Sequence, residues 1–450
     1  MTSATTGSAR ALFTLDWYRA LSPDGRLAFI AAWGGYALAG FDFLAFTFVL
    51  APIRAAFGLS EGQIGALATA SLMASVAGGI AGGVLADRLG RARVLRWSIA
   101  AYALLSFLSG LAQSYEQLLA LRALLGAGFG AEWTAGALLV AEYAAPAQRG
   151  RTQGVYTAGF SVGDGLATLA YFVITALVPA ALSWRVLFWL GVLPALLVLW
   201  ARTRVVDPPA YRAAQAHASA GTGPAPGHGS LGAIFVPPLL VATVGGSLLA
   251  SGILSGKYIV NIWLPGYLQQ WRGLGSAAAA IQIGVVLVGA VLGCIVGGYC
   301  QDGLGRRRTF LLYSLASPAA LWLYLLVPAG LAWLLLVVGA LVGFCTAGAL
   351  SGLGAYLAEL YPSAHRGAGQ GVTYNLGRGA SGLVAGGIGL LAPAIDLNAA
   401  MAVGASVYLV ALAGLVLLPE TRGRDLTAHP AIAPAIPPSA SAQAAGAEPG

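Results

Sequence analysis

Gly83-Val84-Leu85-Ala86-Asp87-Arg88-Leu89-Gly90-Arg91-Ala92-Arg93 lies between two apolar runs. The chain spells it again as Gly298-Tyr299-Cys300-Gln301-Asp302-Gly303-Leu304-Gly305-Arg306-Arg307-Arg308. Each copy is a glycine, three residues, an aspartate, two residues, then Gly-Arg and further arginines. The aspartates stand 215 residues apart (302 − 87). A second group keeps nearly the same step. Glu142, Arg149, Gly150 and Gly154 recur as Glu359, Arg366, Gly367 and Gly371, 217 residues on (359 − 142). Asp207-Pro208 recurs more loosely as Pro419-Glu420. A long chain that repeats itself once reads as two homologous halves.

Composition sets what surrounds these motifs. Apolar residues are 58% and charged residues 9%, far below the roughly 25% charged content of soluble domains. Runs of about 20 apolar residues, each long enough to cross ~30 Å of hydrocarbon, recur along the chain. About twelve are expected from hydropathy and breaker signals. In the first half they fall near 27–50, 62–86, 94–113, 117–142, 152–178 and 184–203; in the second, near 237–268, 276–301, 308–328, 331–360, 368–393 and 397–418. The fold class is therefore an all-α integral membrane protein of two six-helix halves. Pro237, Pro238 and Pro265 predict a bent or broken seventh span. The 63 glycines suit close approach of helices in lipid. Cys294, Cys300 and Cys345 all fall in apolar runs and read as packing residues, with no metal site or disulfide expected.

The net charge of +8 is distributed by sidedness. Arginines cluster before the first span and after the even-numbered ones, from Arg10, Arg19 and Arg26 to Arg422 and Arg424. The opposite loops hold only Arg54, Arg185 and Arg272. This is the positive-inside pattern, which places both termini in the cytoplasm and argues against nucleic acid as the partner. Residues 1–26 read as a cytoplasmic segment in which Leu15 to Leu21 forms an interfacial helix, Trp17 and Tyr18 lying at headgroup level. The halves are 27–204 and 233–426. Residues 205–232 read as a flexible cytoplasmic linker, and 427–450 as a disordered cytoplasmic tail.

Six charged residues fall well inside the spans: Asp42, Arg122, Glu132, Asp164, Lys257 and Arg378. Each costs ~2.5–3.5 kcal/mol at a helix centre, so they pair or line a wet cavity rather than face lipid. Three acids and three bases allow mutual compensation. Asp42 reads as a proton-carrying carboxylate or as a structural partner of Lys257 or Arg378. Arg122 reads as structural, or as gating or proton-coupling. Glu132 lies ten residues deeper in the same span, roughly 15 Å away at 1.5 Å per residue, so the two do not pair within it. Asp164, between Gly163 and Gly165, reads as an interhelical partner or a proton-coupling group. Lys257 meets an anionic substrate or neutralises Asp42. Arg378, flanked by Gly377 and Gly379, meets a carboxylate through its fork of donors or an acid on another helix. Tyr258, Tyr374 and Asn375 stand beside these cations and join them as expected substrate contacts. Trp133, Tyr156, Phe160, Tyr171, Trp263 and Tyr267 are further candidates for the cavity wall or for packing.

The doubled loop motif resembles that of major facilitator superfamily transporters, and the resemblance covers about Trp17 to Leu426. It implies an alternating-access carrier. Asp87, Arg88, Gly90, Arg91, Asp302, Gly305 and Arg306 are then the latches that hold the cytoplasmic side closed. Phrases such as Gly40-Phe41-Asp42-Phe43, Gly128-Phe129-Gly130-Ala131-Glu132-Trp133 and Trp184-Arg185 look like those of the sialic-acid and lactate:proton symporters. Arg378 resembles the eleventh-helix arginine of organic-anion and aromatic-acid carriers. The resemblance implies a monomeric inner-membrane symporter that moves a small organic anion inward with protons and needs no cofactor or metal. A neutral-sugar or nutrient carrier and a drug/proton antiporter are the transport alternatives. An enzyme is disfavoured, because none of the four histidines lies in a span and no His/Cys cluster or phosphate loop is present. A transporter-like sensor lacks a soluble output domain.

Overall fold

A computed structural model of the chain describes residues 15–192, 204–220, 231–237, 239–328 and 330–426. Its long helices are α1 (Pro23–Phe57), α2 (Glu61–Leu89), α3 (Arg91–Leu111), α4 (Tyr115–Tyr143), α5 (Arg149–Leu177) and α6 (Ala180–Leu190 in its described part). The second set comprises α7 (Leu239–Gly266), α8 (Ser276–Gly303), α9 (Arg306–Leu326), α10 (Ala332–Leu360), α11 (Arg366–Ile395) and α12 (Leu397–Leu417). Among the described residues, eleven helices are long and apolar enough to cross a membrane. The remaining expected span, 184–203, continues from α6 into residues outside the description, as do the segment before Leu15 and the tail after Leu426.

Local chemistry fixes where the helices begin. Ser22, Ser60 and Ser114 each cap an N-terminus by accepting a backbone N–H three residues on, and Ser60 with Gln63 forms a full capping box. Gly58 ends α1 in the left-handed conformation, φ 64°. Within each half, glycines bring helices together backbone to backbone. On α4, Gly126 and Gly130 press on the carbonyls of Ser71 and Ser75 in α2. On α8, Gly289 and Gly293 press in the same way on Ala340 and Phe344 of α10. Helix α1 packs on α5, and its counterpart α7 on α11. The halves meet chiefly through α2 with α11 and α5 with α8, which is also a repeat of one contact.

Four details depart from the sequence reading. The segment expected to be a flexible linker contains a helix, Pro209–Ser219. Tyr211 anchors it by donating to the carbonyl of Asp87 (3.2 Å), with its ring 4.4 Å from the Arg91 guanidinium. Trp17 lies in the expected short helix (Asp16–Ala20) but its ring is buried against Phe29 rather than exposed as an anchoring ring would be. The irregularity expected in the seventh span falls at its far end, where Pro265 leads into a π-helical turn, Tyr267–Trp271. Helix α10 is interrupted at Ser351 and Gly352, where the glycine lies against the Gln301 side chain and a β-carbon has no room.

Candidate substrate cavity and gate

The two faces of the bundle differ. On the face that carries both described ends of the chain, the repeated motifs close the molecule. The Asp87 carboxylate accepts hydrogen bonds from the backbone N–H groups of Gly367 (3.0 Å) and Ala368 (2.9 Å), at the start of α11. The Asp302 carboxylate does the same for Gly150 (2.8 Å) and Arg151 (2.9 Å), at the start of α5. A carboxylate at a helix N-terminus meets free donors and the positive end of the dipole. Each acid also pairs with the arginine four residues on, Asp87 with Arg91 and Asp302 with Arg306, both at 3.0 Å.

Those arginines reach one layer further. Arg91 forks onto both oxygens of Glu142 (3.2 Å each), and Arg366, from the other half, donates to the same carboxylate at 2.8 Å. In the mirror arrangement Arg306 forks onto Glu359 (2.8 and 3.1 Å), while Arg149 reaches it from the first half at 2.9 Å. All six of these groups are buried. Of the latch residues expected from sequence, Asp87, Arg91, Asp302 and Arg306 therefore meet. Gly90 (φ 101°) and Gly305 (φ 96°) make the turns that start α3 and α9, in a region that strains any other residue. Acids from the end of each half lie against these turns: Asp207 accepts from the Ala92 N–H, and Glu420 from the N–H groups of Arg306 and Arg307. Arg88 is exposed. Glu142, Arg149, Glu359 and Arg366 were not among the expected latches, although their 217-residue repeat marked them.

The opposite half of the bundle is open. A cavity of about 380 Å³ is walled by the outer stretches of α1, α2, α4, α7 and α11. Its surface is mostly apolar, with Phe43, Phe46, Phe129, Tyr258 and Trp263 exposed to it. Asp42 and Arg122 are the charged side chains on its wall. They form a buried pair, 2.9 Å apart, and Ser106 donates a further hydrogen bond to Asp42 at 2.8 Å. The Arg122 guanidinium also lies 4.1 Å from the Phe46 ring centroid. The partner of Asp42 is thus neither Lys257 nor Arg378, the two weighed from sequence.

Below the cavity lies a layer of buried polar groups that satisfy one another poorly. Arg378 lies 4.3 Å from the ring centroid of Phe129, so that ring separates it from the open space. Its Nε and Nη1 find no hydrogen-bond partner, nor do both oxygens of Glu132, the hydroxyl of Tyr156 and Oδ1 of Asp164. Glu132 is the acid in electrostatic reach of Arg378, and Asp164 that of Lys257. No ion pair within 4 Å joins either couple among the described residues. The six charges thus compensate one to one, but only Asp42 with Arg122 does so by contact. Tyr374 stacks on Trp133 at an interplanar angle of 14° and lies within 5.0 Å of Arg378. Asn375 turns elsewhere: its amide donates to Thr134 and the Gly371 carbonyl, and it fills the space beside Gly79. Among the aromatic candidates, Tyr258 and Trp263 reach the cavity; Tyr171 stacks on Phe48 and Tyr267 holds Arg272.

Residues 32–329 and 256–443 match the family model described as Major Facilitator Superfamily. A probable 4-methylmuconolactone transporter of Cupriavidus pinatubonensis is 36% identical over 435 residues, 94% of this chain and 99% of that protein. The cis,cis-muconate transport protein of Acinetobacter baylyi is 30% identical over 86% of this chain and 92% of its own. The sialic acid transporter NanX of Escherichia coli is 26% identical, covering 91% and 96%. Among solved structures, the proton:xylose symporter XylE superposes with a TM-score of 0.75 at 19% identity, over 89% of this chain and 97% of that one.

Proposed function

The chain belongs to the Major Facilitator Superfamily, a family of transporters rather than enzymes, and from that premise we propose that it moves a small organic anion in symport with protons. The observation that carries the reading is the buried layer beneath the cavity, where Arg378 keeps two guanidinium donors unpartnered. An unpartnered buried donor is costly, and a carboxylate is the ligand that its fork fits. The surrounding rings of Phe129, Tyr258 and Tyr374 suit an unsaturated or aromatic carbon frame, and relatives named for muconate and a muconolactone carry such frames. The substrate enters along the open side, displaces the Phe129 ring and docks on Arg378, with Lys257 as the second cation.

Asp42 and Arg122 take the coupling role. A carboxylate on the cavity wall, bonded to a guanidinium and a hydroxyl, accepts a proton from the open side and frees Arg122 when it does so. Latch release then lets the halves rock about the site. In this reading the closed face is cytoplasmic, the membrane is the bacterial inner membrane, and a monomer suffices.

Uptake into proteoliposomes from a panel of labelled unsaturated and aromatic acids, under an inward proton gradient, tests the assignment. Arg378→Ala should weaken anion binding about 10–150-fold, the range of a lost charge-assisted hydrogen bond. Arg378→Lys should recover only part, since a point charge lacks the fork. Unchanged binding in Arg378→Ala, read by calorimetry, moves the anion site to Lys257.

A further inference from the structure

A second space, about 700 Å³, lies apart from the transport cavity. It lies between the start of α9 and the end of α12, on the closed face. Arg307, Arg308 and Arg422 rim it, and Leu311, Leu412 and Val416 line its inner part. The three arginines are exposed, and their side chains make no ion pair within 4 Å among the described residues. Leu311 and Val416 are also exposed. Glu420 stands in the same space, but its carboxylate is taken up by the backbone N–H groups of Arg306, Arg307, Thr421 and Arg422. It shapes the rim and leaves the arginine side chains free.

We propose that this groove binds one anionic phospholipid, the phosphate on the three arginines and an acyl chain along the leucines. Both halves of the ligand are present in the groove: cations at the helix ends, where headgroups lie, and apolar surface running along α9 and α12 toward the bilayer. A basic pocket between spans at that depth selects acidic headgroups, because each arginine near the surface adds to the attraction. A free phosphate ion uses the rim and leaves the leucines bare, so the site selects lipid over the ion. The groove abuts the turn at Gly305 and the Glu420 that caps it. A lipid held there therefore touches one half of the gate. This inference stands independently of the transported substrate.

Mass measurement of the intact chain released from mixed micelles tests it, with phosphatidylglycerol and phosphatidylcholine offered together. Wild type should keep one phosphatidylglycerol in preference to phosphatidylcholine, and inorganic phosphate should not displace it. Replacing Arg307, Arg308 and Arg422 by Gln should lower that preference roughly fivefold per arginine. Leu311→Trp, which fills the groove and leaves all three charges, should lower retention as well; a diffuse surface-charge effect leaves it unchanged. Equal retention of both lipids, displacement by phosphate alone, or full retention in Leu311→Trp overturns the proposal.

Discussion

At the scale of the residue, Asp42 has the sharpest consequence. It is bonded to Arg122 and Ser106 on the wall of the open cavity. As the proton carrier it must alternate between charged and neutral, and Asn is close in size but permanently neutral. Asp42→Asn should keep substrate binding and lose the ability to use a proton gradient. One pH unit supplies about 1.4 kcal/mol per proton, or tenfold accumulation. Wild-type vesicles should accumulate substrate under that gradient while the variant only equilibrates, followed with label and a trapped pH dye. Uphill uptake by Asp42→Asn makes the aspartate structural and turns attention to Glu132 or Asp164. The sequence showed which residues were costly in lipid, and the structure places all six as buried groups. It did not show who meets whom. Position along a helix can be counted from the chain, but the face each helix turns to its neighbour cannot. The sequence weighs Asp42 against Lys257 and Arg378, whereas the fold pairs it with Arg122, and the amide of Asn375, an expected substrate contact, donates to Thr134 of α4.

Among the elements, the contacts of α2 with α11 and α5 with α8 depend on glycine. A β-carbon on Gly83 runs into the Gly367 carbonyl, and one on Gly298 into the Gly150 carbonyl. Gly83→Ala or Gly298→Ala should spread the closed face and favour the alternate conformation. Spin labels at exposed positions 93 and 303 should report a longer distance across that face; an unchanged distance sinks the idea. The caps carry a pH signature. Burial alone raises the Glu420 carboxyl, but the four backbone N–H donors outweigh it and hold the group below its ordinary 4.5. A depressed folded value means that its stabilisation is complete above the ordinary value and lost as pH falls through the folded one. Thermal unfolding followed downward from about pH 6 should show an acid-sensitive component that Glu420→Gln removes. Equal acid sensitivity in the two proteins argues that the cap contributes nothing. The spans were legible from apolar runs and breaker signals. The docked helix Pro209–Ser219 was not, because its composition is that of a linker and Tyr211 anchors it through contacts made by the fold.

For the whole molecule, the duplicated sequence gives one charge cluster in two copies. Glu142 is held by Arg91 of its own half and Arg366 of the other, and Glu359 by Arg306 and Arg149. Removing one acid strands buried arginines, which costs roughly 3–5 kcal/mol of the closed state. Glu142→Ala or Glu359→Ala alone should loosen the closed face, and the double variant should open it far more, read with the same labels at 93 and 303. Equal opening in single and double variants means that the two clusters act as one.

Each acid in this gate has a partner that stays and a partner that leaves. In the proposed separation of the halves, Arg366 would leave Glu142 and Arg149 would leave Glu359, while Arg91 and Arg306, on the same half as each acid, would stay. Neither carboxylate would then lose both of its arginines. The arrangement is in effect a clasp with a keeper on each leaf: each acid would keep one cation when the leaves part, while Arg366 and Arg149 would give up their carboxylates.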